Sequence, residues 1–486
     1  MRAGAGLVAL ILLVAGLTAC SRAPSPPVAT VTIDTADPGS VLPADFLGLS
    51  FEASVLGSAR LDPTRSNLAV LLGDLGTGHL RFGGNSLDRV AGWAPAGTPP
   101  TWARTPVTPE DLAHVGALAA ASGWRVDLGL TLAHPDPAGA AAEASAAARL
   151  IGPGLASFEV GNEPDLYPAE GVGRYRTVVA RYRAALAAVP GGVGVAGPDT
   201  ALRTSLRGYA AAEGTGLAAL TQHFYPLTRC GGRQPTIAQL LSAATRRDEE
   251  QVVDAAVAVG REDGLPVRLD EVNSASCGGQ DGVSNTLASA LWMVDFLLLA
   301  AGRGVSGVGV QGGLAACRGY TPLCVPEAAG SAPDARPGID PVADTSLGAA
   351  PGTGPLAAQP DFYALLLVHR LVGGRRLPVA THGLGPAVAY AAAMPDGSVR
   401  VVLDSLGAAR SARVTISTGT RLAAGTVVRL TGPSLGATTG VELGGRPVAA
   451  DGTWAPGAAT PVRGASGRLS VDLPPASAEV VSLAAR

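Results

Sequence analysis

The chain has 486 residues, 47% of them apolar, and a formal net charge of −3. That apolar share excludes a disordered chain, and the near-neutral charge offers no electrostatic basis for a nucleic-acid partner. Every basic side chain is Arg or His, with no Lys, which reads as codon bias alongside heavy use of Ala, Gly and Pro.

From the N-terminus, residues 1–20 carry one positive charge at Arg2 and an apolar run from Leu7 to Leu17. That run is too short for a stable transmembrane helix and suits a secretory signal. Its end, Leu17-Thr18-Ala19-Cys20, resembles a bacterial lipobox. The resemblance implies cleavage before Cys20, a lipid on Cys20, and a body anchored to the membrane of a bacterial envelope, outside the cytoplasm. An ordinary secretory signal that contains a Cys, or an uncleaved anchor, is the competing reading. Residues 21–30 form a Pro/Ser/Ala tether that cannot pack a core. Beyond it no apolar run reaches the roughly 18 residues of a membrane span. Val28–Thr35 (VATVTIDT) alternates with period two, and residues 31–45 are expected to add a strand to the C-terminal domain.

Residues 46–370 alternate short apolar runs with Ala-rich helical segments. Strands are expected at Leu47–Ala53, His79–Gly83, Val126–Leu132, Ser157–Val160, Val193–Gly197, Leu220–Phe224, Val267–Leu269 and Gly307–Val310. Helices are expected at Ala138–Leu150, Tyr175–Ala188, Ile237–Val259 and Thr286–Ala301. This is the pattern of an α/β fold, a (β/α)8 TIM barrel. An open doubly wound sheet is the runner-up, but GLSFEASVLG lacks the Gly-rich phosphate turn that fold needs. Residues 326–356 are rich in Pro, Gly, Ala and Asp and read as a long rim loop. After His369 the period changes to two, with a hairpin signal at Asp396-Gly397. Residues 371–486 therefore read as an antiparallel β-sandwich.

Two runs stand out because they close on acids: Glu163 in SFEVGNEPDLY and Glu271 in PVRLDEVNSASCGG. Carboxylates are seldom fully buried unless paired, so an acid at the end of a buried strand points to a site. Barrel enzymes place their chemistry at the C-terminal strand ends. The other polar residues there are Arg81 and Asn85 (strand two), Asn162 (strand four), His223 and Tyr225 (strand six), Asp270 (strand seven) and Gln311 (strand eight). Two carboxylates serve as acid and nucleophile in glycoside hydrolysis, and the amides and hydroxyls suit a sugar ring. Tyr225 and Arg81 are placed to hold Glu271 ionised and aimed. Each has a structural alternative: Glu163 as a helix-start acid, Glu271 as an ion-pair partner of Arg268 or Arg81, His223 as a core histidine on a backbone carbonyl, Asn85 as a turn residue. Arg318 and Tyr320, in CRGYTPLC, are candidates for a carboxylate on the sugar. No metal-binding spacing and no nucleotide loop occurs, so no cofactor is expected.

Setting Cys20 aside, Cys230, Cys277, Cys317 and Cys324 remain. In an exported chain they suggest two disulfides, with three connectivities open. Cys317 and Cys324 are close enough to staple one loop, and a Cys230–Cys277 bridge would tie two loops at the mouth.

Asn162-Glu163-Pro164 with a later strand-end Glu271 resembles the clan A glycoside hydrolases. LRFGGNSLD, VGNEP and the E-x-N-S-x-S-C-G-G run resemble, more narrowly, glycoside hydrolase family 79, which contains β-glucuronidases and heparanases. The resemblance spans nearly the whole mature chain. It implies a retaining β-glycosidase with Glu163 as acid/base and Glu271 as nucleophile, a β-glucuronide substrate, water as co-substrate, and a sandwich after the barrel. Two features depart from it: Gln311 stands where a more polar strand end, often His, is expected, and the Cys317–Cys324 loop matches no family pattern. Both bear on substrate. A neutral-sugar β-glycosidase (xylose or glucose) and a non-catalytic carbohydrate-binding surface protein are the alternatives.

Overall fold

The computed structural model describes residues 28–167, 171–326, 352–407, 410–419, 424–465 and 468–484. The expected signal segment with Cys20, most of the expected tether and most of the expected rim loop over 326–356 lie outside the described residues. Among those residues, no helix is long and apolar enough to cross a membrane.

Eight strands close a parallel barrel: Leu47–Glu52, His79–Gly83, Arg125–Leu130, Leu155–Val160, Gly194–Thr200, Leu220–Phe224, Val267–Val272 and Gly307–Gly312, here barrel strands one to eight. All eight runs expected from the sequence are there. Each is followed by a helix, from Leu68–Asp74 after strand one to Pro360–His369 after strand eight. Local chemistry sets the helix ends. Thr108 and Asp111 form a reciprocal capping box before Pro109–Ser122, and Gly123 closes that helix in the left-handed region at φ 75°. The single helix expected over Ile237–Val259 is instead two, Ile237–Leu240 and Ala243–Asp263. Ser242, at φ −80° and ψ 148°, leaves the helical region, and its side chain accepts from the Thr245 N–H. A capping serine has broken the run where periodicity alone carries on.

The C-terminal strands form a sheet folded on itself. Its inner face holds a separate apolar core that includes Val401, Leu403, Val414, Ile416, Val471 and Val481. Val28–Ile33 lies within it, antiparallel to Val379–His382 and parallel to Ala412–Ser417, with Ala29, Val31 and Ile33 buried and Val28, Thr30 and Thr32 exposed. The outer face, with Val402, Val428 and Val480, packs into the barrel's own cluster beside Phe362 and Leu366. This explains the unbroken apolar run Val401-Val402-Leu403: both of its faces are covered. A polar clamp adds to this contact, in which Arg246 and Tyr390 both bond to Asp295.

Truncating Val31 to Ala should destabilise the protein by about 2 kcal/mol in urea unfolding, whereas Thr30→Val on the exposed face should stay within about 0.5 kcal/mol.

Candidate active site

At the C-terminal mouth of the barrel, strand two ends in Arg81-Phe82-Gly83-Gly84. Both glycines are there for clearance. A Cβ on Gly83 would sit 2.6 Å from the Arg81 guanidinium, and one on Gly84 would sit 2.6 Å from the Glu52 carboxylate. Arg81 is therefore free to fold back into the barrel, where only 2% of its side chain is exposed. Its Nε donates to Glu159 Oε2 (2.7 Å) and its Nη1 to Glu271 Oε2 (3.0 Å) and Ser50 Oγ (3.1 Å). Its Nη2 donates to Asn162 Oδ1 (3.1 Å) and Asp199 Oδ2 (3.3 Å).

Glu271 lies inside strand seven, not at its end. The pairing of that strand slips against both neighbours around Asp270 and Glu271. A regular strand alternates faces, yet Arg268, Asp270 and Glu271 all bond within the barrel interior. The bulge turns Glu271 inward. The Tyr225 hydroxyl donates to Glu271 Oε1 at 2.8 Å, so both carboxylate oxygens accept hydrogen bonds, one from Arg81 and one from Tyr225. Of the two ion-pair partners considered for Glu271, the structure selects Arg81. Arg268 turns to Asp127, Glu159 and Asp270.

Glu163 follows strand four by three residues, in the left-handed conformation (φ 49°, ψ 52°). That geometry is strained for a non-glycine residue and is held by the Glu163 N–H donating to the Asp199 carbonyl (3.0 Å). A Glu163 oxygen lies within 4.8 Å of a Glu271 oxygen. Burial, chiefly, raises the Glu163 pKa above the ordinary carboxylate value, and the Glu271 charge adds to this, while His223 opposes it.

His223 stands between the two acids: Nδ1 lies 3.1 Å from Glu163 Oε1 and 3.7 Å from Glu271 Oε2, and Nε2 lies 3.7 Å from Asp199 Oδ1. Burial alone would depress its pKa, but the surrounding carboxylates, Glu271 above all, hold it up at about 10. Its ring nitrogens therefore face carboxylates and not a backbone carbonyl, and Glu163, His223 and Glu271 are near enough to share an ion.

Asn162 is fully buried. Its oxygen is taken by Arg81, and its Nδ2 has no partner among the described residues. Gln311, also 0% exposed, has neither amide atom partnered among the described residues. Orphaned buried polar atoms beside a site are suited to a ligand's polar groups. Asn85 is exposed in the single helical turn Gly84–Leu87, and Asp270, inside strand seven, accepts from Arg268. The disulfides are Cys230–Cys277 and Cys317–Cys324. The first ties the loops after strands six and seven, which also pair through Leu227–Thr228 and Ala275–Ser276.

Three site residues escaped the sequence reading. Glu52 and Asp199 also sit at the ends of apolar strand runs, the signal that exposed Glu163, so they were within reach. Glu52 accepts from the Ser86 N–H (2.6 Å), and burial, then the Glu271 charge, pushes it up to about 7. Glu159, mid-strand, carried no such signal.

No family model matches the sequence, and no curated protein matches it. Solved structures do match in fold. One is a 4-O-α-L-rhamnosyl-β-D-glucuronidase from Fusarium oxysporum 12S, with TM-score 0.70, 18% identity, and 93% of this chain and 100% of that one covered. Another is the GH51 arabinofuranosidase from Xanthomonas axonopodis pv. citri, with TM-score 0.66, 15% identity and coverage of 94% and 100%. A third is the GH39 enzyme from the same organism, with TM-score 0.57, 15% identity and coverage of 94% and 97%. The chain has the fold of the clan A glycoside hydrolases, a TIM barrel with a C-terminal β-domain.

The folded pKa of His223 lies above its unfolded value, so its contribution to stability is complete below about pH 6.5 and is lost as pH rises through about 10. The unfolding free-energy gap between the wild type and His223→Gln should therefore narrow across that range, as read by denaturant titration at successive pH values.

Proposed function

We propose that the protein is a retaining glycoside hydrolase, with Glu271 as nucleophile and Glu163 as acid/base. The observation that carries this is the pair itself: carboxylate oxygens within 4.8 Å of each other, in unlike surroundings. Retaining enzymes hold their carboxyl groups about 5–5.5 Å apart and inverting ones about 6.5–9.5 Å apart. Glu271 accepts from a guanidinium and a phenol, which aim its carboxylate as the group that attacks the anomeric carbon. Glu163 is pushed toward its protonated form, which suits donation to the leaving oxygen. Once that proton has gone, the Glu163 carboxylate takes one from the water that opens the glycosyl–enzyme ester. Asn162 Nδ2 and the Gln311 amide are offered to ring hydroxyls, and Asn85, His223 and Tyr225 complete the predicted substrate shell.

For the sugar, we propose a β-glucuronide, the linkage within the family 79 resemblance. Support comes from the loops beside Tyr225. Cys277, Gly278 and Gly279 take positive φ in succession, and the Gly278 carbonyl presses on Gly319 so closely that a Cβ there would stand 2.0 Å away. This seats Tyr320 with its ring centroid 5.7 Å from that of Tyr225. Arg318 lies in the same loop and is the cation proposed to meet the uronate. That a fold neighbour is named for action on a rhamnosyl-glucuronide agrees with this. A neutral pentofuranoside is the second reading, favoured by the uncharged Gln311 and by the arabinofuranosidases of like fold. Attachment through Cys20 to a bacterial envelope membrane remains part of the proposal and rests on the lipobox resemblance.

Glu271→Gln should abolish turnover of aryl glycosides; substantial activity in the folded variant would remove the nucleophile role. Glu163→Ala should lose most activity on poor leaving groups and regain it with azide on an activated aryl glycoside. Among aryl β-glucuronide, β-glucoside, β-xyloside and α-L-arabinofuranoside, cleavage of the glucuronide alone is expected. A preference for the arabinofuranoside would keep the mechanism and replace the substrate.

A further inference from the structure

Barrel interiors are ordinarily filled by layers of branched aliphatic side chains. Here the interior below the catalytic floor holds a chain of charges. Asp45, in the turn before strand one, has a side chain 45% exposed, at the end of the barrel opposite the mouth. Its Oδ2 lies 3.3 Å from His79 Nε2, and His79 Nδ1 lies 2.6 Å from Asp127 Oδ2. Asp127 Oδ1 accepts from Arg268 Nη1 at 3.1 Å, and Arg268 Nη2 donates to Glu159 Oε1 at 3.2 Å. Glu159 Oε2 accepts from Arg81 Nε at 2.7 Å, and Arg81 Nη1 reaches Glu271 Oε2 at 3.0 Å. The seven groups alternate in sign from the solvent at one end of the barrel to the proposed nucleophile at the other.

Burying charges is expensive, and a buried ion pair is often no more stable than an aliphatic packing of the same volume. The chain thus calls for a reason beyond stability. Desolvated charges are poorly screened by salt, and each group here is fixed by its neighbours on both sides. Burial pushes the Glu159 carboxyl upward, while the guanidinium N–H groups that both its oxygens accept favour its charged form.

We propose that this column is a positioning device for the nucleophile and couples its proton affinity to the charge of Asp45 and His79 at the far end of the barrel. His79, Arg268 and Glu159 are positioning residues that act through Arg81, and none of them meets substrate. At the far end, His79 faces Asp45 and Asp127, with Arg268 opposing its charge, and holds its proton up to about pH 9; Arg125 acts on Asp45 from strand three. At the near end Glu271 faces Arg81, Tyr225, His223, Glu52 and Glu163.

The column's effect on catalysis rests on the proposed hydrolase function, so the test has one arm that needs activity and one that does not. In the first, kcat/KM for an aryl glycoside that the wild type cleaves is followed against pH, its acid limb reporting the nucleophile in the free enzyme. His79→Gln removes a positive charge, so the acid limb should move up. Asp45→Asn, at a half-exposed position that tolerates change, removes a negative charge, so it should move down. Each shift should be on the order of half a pH unit for a unit charge at an effective dielectric near 20. A loss of structural support would lower melting temperature or active fraction in both variants without moving the limbs in opposite directions. In the second arm, coupling is reciprocal, so Glu271→Gln should lower the His79 titration midpoint, followed through its imidazole C–H signals by NMR, by the same amount. Profiles that superpose on the wild type in folded variants, or a His79 midpoint unmoved by Glu271→Gln, would overturn the proposal. A wild type silent on every glycoside would end the hydrolase reading, and the NMR arm would still decide the column.

Discussion

The site depends on one guanidinium. Arg81 is almost fully buried yet bonds to Glu159, Glu271, Asp199, Asn162 and Ser50, residues that stand on barrel strands one, four, five and seven or, for Asn162, just beyond strand four. A planar fork with five donors suits that task, and a lysine would not fill it. Carboxylates so close together repel, and burying them is costly unless a cation lies among them. Arg81 lets three strands bring acids, Glu159, Asp199 and Glu271, to one place. Gly83 leaves the space its guanidinium occupies, and Gly84 leaves that of the Glu52 carboxylate.

Given that cation, the two glutamates part by environment. Both are glutamates, one inside strand seven and one just beyond strand four. Glu271 lies in the inward bulge under Arg81 and Tyr225, whose N–H and O–H groups donate to its two oxygens. Glu163 stands at the mouth on a strained backbone, where burial and the Glu271 charge favour its proton. His223, charged and between them, keeps both oriented. This divergence is what two-carboxylate chemistry requires, and it arises from placement, since the residue types are the same.

The eight strands were legible because buried parallel strands read as short apolar runs and the helices between them as Ala-rich segments. The acids at their ends were legible because a charge closing such a run has no packing reason to be there. Glu159 was not, since an acid within a strand reads as an exposed position until its partner is known. Nor was the helix break at Ser242, where a side-chain bond to the backbone outweighed periodicity.

The sequence by itself determined the barrel, the period change after His369, and the candidates Glu163, Glu271, Arg81 and Tyr225, because apolar periodicity and a misplaced charge are local properties. Only the tertiary structure decided that Glu271 pairs with Arg81 and not Arg268, which cysteines bond, that His223 lies between the two acids, and that alternating charges run beneath them. Those pairings join residues as far apart in the chain as the 190 positions between Arg81 and Glu271. They are set by strand register, by the bulge and by closure of the barrel, which no local stretch of sequence encodes.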